Sequence, residues 1–152
     1  MKYSFFGTCA KDYFHFFECL ETMANQSLLP QEIILVDSGN KNIRKDILNY
    51  LNLLPINLIY IKKEISRIKG LNLALAKSSS EYSFRFDTRA RFSRNYAKEA
   101  IAVLRDKSLN IAVTGGVPII NSEGNSFAAK LCAGIMQRKY IFFYPKHRNL
   151  NY

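Results

Sequence analysis

The chain has 152 residues and a formal charge of +10, with an isoelectric point near 9.6. Its 48% hydrophobic content is enough for one packed domain and excludes disorder as a whole. No apolar run approaches the roughly 20 residues that span a bilayer as a helix, and the basic balance favours anionic partners (nucleotides, nucleic acid or acidic lipid headgroups) against the plainer reading of a basic solvated surface.

Lys2 is followed by Tyr3-Ser4-Phe5-Phe6, too short for the apolar region of a signal peptide. The chain therefore reads as cytoplasmic, with peripheral membrane contact left open. Tyr3–Phe6 predicts a strand that ends at Gly7-Thr8. Asp12 is placed to cap a helix reaching about Gln26, with Tyr13, Phe16, Phe17, Leu20, Met23 and Ala24 on one face. Pro30 closes that segment. Glu32-Ile33-Ile34-Leu35-Val36-Asp37 is the clearest strand, an apolar β-branched run turned by Ser38-Gly39-Asn40. A helix over 43–53 ends at Pro55, and a strand follows over 57–61. Ser66 opens a helix to Ala76 with Ile68, Leu71, Leu75 and Ala76 near one face. A strand over 82–87, a helix over 95–105 and a fifth strand over 110–114 ending in Gly115-Gly116 complete the pattern.

Strands alternating with helices predict a mostly parallel sheet covered on both faces, a Rossmann-like α/β domain. Right-handed crossovers set the C-terminal ends of all strands along one edge, where ligands of such sheets bind. Gly7-Thr8, Asp37-Ser38-Gly39, Asp87-Thr88-Arg89 and Gly115-Gly116 all fall there.

Asp37 ends its strand before Ser38-Gly39. Its carboxylate can accept hydrogen bonds from a base or ribose while Gly39 lets the backbone come close; equally, it can form an Asx turn into the next helix. Asp87 closes an alternating strand, and a carboxylate there suits a divalent metal (Mn2+ or Mg2+) bridging two phosphates. Arg85, Arg89, Arg91, Arg94 and Lys98 surround it, however, and guanidinium groups bind phosphate but no metal. A surface Asp–Arg pair is the alternative. Arg67 and Lys69 open a helix whose free N–H groups attract phosphate, or form a solvated basic turn.

Cys9, Cys19 and Cys132 are too few and too scattered for a disulfide framework or metal cluster and read as core or near-core residues. His15 and His147, the only histidines, sit beside no evident partner. No nucleophile elbow, HExxH pair or Walker loop is present, so Ser–His or Cys–His catalysis has no support.

Together these segments resemble the inverting GT-A glycosyltransferases of family 2. Gln26 to Gly39 is similar to that family's second strand and acidic turn; Arg67-Ile68-Lys69-Gly70-Leu71-Asn72 resembles the helix before its D-x-D strand; Glu81 to Arg91 falls where the strand and motif belong; and Gly115-Gly116-Val117-Pro118 is similar to a later Gly-Gly turn. The likeness is closest to a branch acting in succinoglycan-type exopolysaccharide biosynthesis and spans about residues 3–120.

The resemblance implies a GT-A fold, a nucleotide-sugar donor such as a UDP-sugar, and a glycan or lipid-linked acceptor. Thr8 and Asp37 would contact base and ribose, Arg67 would lie near the base or phosphates, and Asp87 would face the sugar diphosphate and its metal. Arg89 stands at the third D-x-D position, which weakens a metal site and makes Arg89 a candidate diphosphate clamp. No catalytic base is assigned. The segment after residue 120 is short against the family pattern and holds one acid, Glu123. The chain thus divides into a nucleotide-sugar-binding subdomain, 1–120, and a basic aromatic segment, 121–152, and reads as a truncated glycosyltransferase with its acceptor half missing. Such a remnant exposes a formerly covered face, so a homodimer is expected. The competing reading is a non-enzymatic module in which Lys130, Arg138, Lys139, Lys146 and Arg148, interleaved with Tyr140, Phe142, Phe143 and Tyr144, meet nucleic acid or an anionic membrane.

Overall fold

The computed structural model describes residues 2–39, 49–50, 53, 55–116, 119 and 126–143. In chain order they form β1 (Tyr3–Cys9), α1 (Tyr13–Ala24), β2 (Glu32–Asp37), β3 (Asn57–Lys62), α2 (Arg67–Ala76), β4 (Tyr82–Phe86), α3 (Tyr96–Arg105) and α4 (Phe127–Phe143). They belong to two compact units, 1–102 and 103–152.

In the first unit the four strands make one parallel sheet in the order β3-β2-β1-β4. The chain moves outward from β1 to β3, then returns to the other side of β1 with β4. The strand order therefore reverses between β1 and β4, and that is where an open α/β sheet holds its ligand.

Alternation along the strands builds two apolar layers. Tyr3, Phe5 and Cys9 of β1, Ile33 and Leu35 of β2, and Phe84 and Phe86 of β4 join Phe16, Cys19, Leu20 and Met23 of α1 and Ala97, Ala100 and Ile101 of α3 in the larger core. Ile34, Val36 and Ala74 form the smaller core on the opposite face, with Phe6, Ile59, Ile61, Ile65 and Leu73 packed against it. β2 is buried along its whole length, as expected for a strand with neighbours on both sides and a helix on each face.

β1 runs three residues past its expected end. Gly7, Thr8 and Cys9 pair with Leu35, Val36 and Asp37, because the β2 ladder continues to its own acidic end. α2 keeps the expected bounds but presents a different face. Gly70 and Ala74 are buried, whereas Ile68 is 73% exposed and Leu75 48% exposed. Small residues one turn apart let the helix lie close on the sheet, and a Cβ at Gly70 would come within 2.8 Å of Thr8 Cγ2. Close approach over β1 thus overrides the larger side chains in choosing the buried stripe.

Asp12 precedes α1 but makes no side-chain capping bond there. The helix expected over 43–53 falls mostly outside the described residues; Tyr50 packs edge-on to Phe17 at 5.4 Å. Gln26, just past the end of α1, is 4% exposed. Its amide nitrogen donates to the Thr22 and Ser93 carbonyls, and its oxygen accepts from Ala97 N at 3.1 Å. One side chain thus closes α1 and caps α3.

In the second unit the expected fifth strand is absent: residues 111–116 carry no strand pairing. Asp106 accepts from Ser108 N at 2.9 Å in an Asx turn, Asn110 takes a left-handed φ of 48°, and Val113 is 85% exposed. Local β propensity alone does not make a strand. α4 leaves Phe127, Leu131, Ile135 and Met136 exposed. Among the described residues no helix is long and apolar enough to cross a membrane.

Candidate functional site

The C-terminal ends of β1, β2, β3 and β4 form one rim. Cys9 pairs with Asp37, Asp37 with Lys62, and Gly7 with Phe86, the residue before Asp87. Asp37 and Asp87 therefore flank β1 from either side, roughly 10 Å apart across two strand spacings. Their carboxylates serve opposite faces of the sheet.

Asp37 turns toward α1 and is fully buried. Tyr13 Oη donates to both its oxygens, at 3.0 and 3.2 Å. Tyr60 Oη and Lys62 Nζ reach Oδ2 at 2.7 and 2.9 Å, and Gly39 N reaches Oδ1 at 2.9 Å. A buried carboxylate is tolerated when it is paired and fully hydrogen-bonded. The bond from Gly39 N is the Asx turn, and the close approach at Gly39 is made to the protein itself: a Cβ there would lie 2.0 Å from the Ala10 carbonyl oxygen. Burial, with the Asp37 hydrogen bond and charge, pushes the Tyr13 hydroxyl above its ordinary range.

Asp87 turns toward α2 and is exposed. Arg67, the first residue of α2, pairs with Asp87 Oδ1. Arg85 Nη2 lies 3.2 Å from Oδ1 and 3.1 Å from Oδ2. Arg85 stands on the outward alternate of β4, between buried Phe84 and Phe86. Arg67 is delivered by the α2 contact at Thr8, because Gly70 seats the first turn of that helix over β1. Thr8, Arg67, Arg85 and Asp87 are thereby gathered at the point where strand order reverses.

Arg89 and Arg91 have separate partners. Arg89 Nε bonds Asp12 Oδ2 at 2.7 Å. Arg91 pairs with Glu18 and donates to the Ala90 carbonyl at 2.9 Å; Arg94 and Lys98 are exposed. His15 does have partners, contrary to the sequence reading: Glu18 Oε2 at 3.4 Å and Asp12 Oδ1 at 3.8 Å. This chain of ion pairs fastens the loop after β4 to α1. It spends the Asp12 carboxylate on Arg89 and explains the missing helix cap.

Of the five sequence-selected residues, Thr8, Arg67 and Asp87 come together, Arg89 is held by Asp12, and Asp37 is enclosed in its own hydrogen-bond cluster. The sequence pattern counts Arg85 among the five bases around Asp87; its position on the alternate facing α2 sets it apart. Cys9 and Cys19 are buried as expected, whereas Cys132 is exposed. Gly115 makes no close approach, since a Cβ there would meet nothing within 4 Å. Glu123 and His147 lie outside the described residues.

The cation implied at Asp87 is not matched by the donor set. Among the described residues no three His, Cys, Asp or Glu side chains gather as ligands, and both Asp87 oxygens face guanidinium groups. A hard cation needs several free oxygens, and these residues offer one engaged carboxylate.

Comparison with known proteins gives the fold its relatives. Among solved structures, Staphylococcus aureus TarS residues 1–349 superposes with a TM-score of 0.62 at 19% identity, over 80% of this chain and 40% of TarS 1–349. TarS has also been solved with UDP-GlcNAc, and that structure superposes at 0.60. The mannosyltransferase PcManGT from Pyrobaculum calidifontis, solved with GDP-Man and Mn2+, superposes at 0.60 with 18% identity, over 69% of this chain and 32% of that one. This chain therefore spans less than half the length of these structural relatives, with which it shares a GT-A-like parallel sheet flanked by helices. No curated protein matches its sequence. The model of glycosyl transferase family 2 matches residues 17–151, nearly the whole chain, and the chain belongs to that family.

Proposed function

We propose that the chain holds a nucleotide-sugar donor at the rim between β1 and β4, in the service of sugar transfer to a glycan or lipid-linked acceptor. The carrying observation is the convergence of Arg67 and Arg85 beside Thr8 at the reversal of strand order, in a chain of this family. Two guanidinium forks at a helix start suit a diphosphate. Thr8 lies alongside, and Arg89 becomes a further phosphate contact when it leaves Asp12. In this reading Asp37 shapes the rim through Tyr13, Gly39 and Lys62, and the base or ribose rests above that cluster.

The ligands of the structural relatives, UDP-GlcNAc and GDP-Man, direct the choice of donors to try. A UDP-hexose and a role in exopolysaccharide biosynthesis, of the succinoglycan type, are the finer form of the proposal, with a cytoplasmic location. In the reaction class, an acceptor hydroxyl attacks the anomeric carbon and the nucleoside diphosphate departs. Basic groups at the rim stabilise the departing charge. A thermal-shift panel of UDP-, GDP- and CMP-sugars tests the reading: stabilisation by one nucleotide class supports it, and no shift with any of them refutes it.

Peripheral membrane contact is supported by α4, whose exposed Phe127, Leu131 and Ile135 recur every four residues in a chain of charge +10. Co-sedimentation with anionic but not neutral vesicles is the expected result. A homodimer through the same helix would instead appear as a doubled mass in sedimentation.

A further inference from the structure

We propose that Arg67 and Arg85 form a metal-independent site for the diphosphate of the donor, with Asp87 serving as the carboxylate that holds them in place. The proposal rests on the donor-binding reading above and deepens it.

Both guanidinium groups meet at one carboxylate. One acid against two bases leaves a local surplus of one positive charge, and two forks with five N–H donors each leave most of those donors unspent on Asp87. The side chains of Arg67, Arg85 and Asp87 are 62%, 50% and 54% exposed. Exposed ion pairs contribute little to stability, so a diphosphate with more oxygens and more charge can take over both guanidinium groups.

A cation at Asp87 faces the opposite balance. It would have to displace both arginines and then sit beside two fixed positive charges in a site with a single carboxylate. Asp12, the next acid at the rim, is bonded to Arg89, and Asp37 is buried with both oxygens filled. The placement of the arginines follows from the fold. Arg85 occupies the α2-facing alternate of β4, and Arg67 is fixed by the Gly70–Thr8 contact one turn into α2. In this arrangement Asp87 is a positioning residue that keeps the two forks apart and aimed at the rim.

Calorimetric titration of the full chain with UDP and with GDP, in EDTA and in Mn2+, separates the two chemistries. The expected result is binding in EDTA that Mn2+ does not strengthen. Arg67→Ala and Arg85→Ala each weaken it about tenfold, the loss of a charge-assisted phosphate contact, and any change in Asp87→Asn is the same in EDTA as in Mn2+. All three positions are at least half exposed, so thermal melts of the variants should match that of the parent and exclude misfolding as the cause. Binding that needs Mn2+ and is lost in Asp87→Asn overturns the proposal while leaving donor binding intact. No nucleotide binding under either condition overturns the donor-binding reading as well.

Discussion

The Tyr60 hydroxyl donates to Asp37 Oδ2 across 2.7 Å, from the edge strand β3 to its buried neighbour β2, while Tyr13 of α1 binds the same carboxylate from above. One acid thus ties two strands and a helix at the rim. Asp37→Ala should cost about 3 kcal/mol of folding free energy, since it strands two hydroxyl groups and the Lys62 partner. Asp37→Asn should cost less, because the amide oxygen still accepts. Urea unfolding measures both. Unchanged stability, with nucleotide affinity lost, would return Asp37 to direct base or ribose contact.

Gly70→Ala has a sign that depends on Thr8. Alanine favours a helix interior over glycine by about 1 kcal/mol, but the new Cβ would sit 2.8 Å from Thr8 Cγ2, and overpacking costs about 1–3 kcal/mol. In the parent the substitution should destabilise. In a Thr8→Ser background, which lacks Cγ2, it should stabilise by up to about 1 kcal/mol. A double-mutant cycle from chemical denaturation reads the coupling, and additive effects would count against the contact.

What the sequence made legible follows from the range of the forces involved. β2 was clear because an apolar β-branched run bounded by turn residues has few other structures open to it, and its bounds match residue for residue. The face of α2 was misread because its long apolar residues mark the stripe only where room exists; close packing on β1 selects Gly70 and Ala74 instead. The strand expected over 110–114 does not form, since local β propensity carries no information about pairing. At the site, Asp37 and Asp87 both lie at the C-terminal ends of parallel strands at one edge. The sequence could not foresee that they address opposite faces, since strand alternation gives the face only once register and sheet order are known.

Gln26 gives a sharper test of how α1 and α3 are joined. Its side chain satisfies two carbonyls and the Ala97 amide of α3 while being almost wholly buried. Gln26→Ala should cost about 2 kcal/mol, the sum of a lost cap and unsatisfied buried groups. Hydrogen exchange should quicken first at Ala97, whose amide loses its acceptor. Protection unchanged at that amide would mean that the helix closes without the glutamine.

The three thiols should respond to pH and to reagents in two classes. Burial pushes Cys9 up to about 11 and Cys19 up to about 12, so near pH 8 neither supplies the reactive thiolate, whereas Cys132 is exposed. Alkylation of the native chain should give one adduct, at Cys132, and three in denaturant. The raised thiol values also set the sign of a pH effect. Below pH 9, the ordinary thiol value, both states keep their protons and the stabilisation is fully present. Above it, the unfolded chain loses protons that the native chain retains, so stability falls as pH rises through the native values. The slope approaches 1.4 kcal/mol per pH unit for each thiol held neutral, as an order of magnitude. Denaturant midpoints between pH 9 and 11 measure that decline, and Cys19→Ala should make it shallower even though the variant is less stable throughout. An unchanged slope in Cys19→Ala would show that this thiol titrates alike in both states.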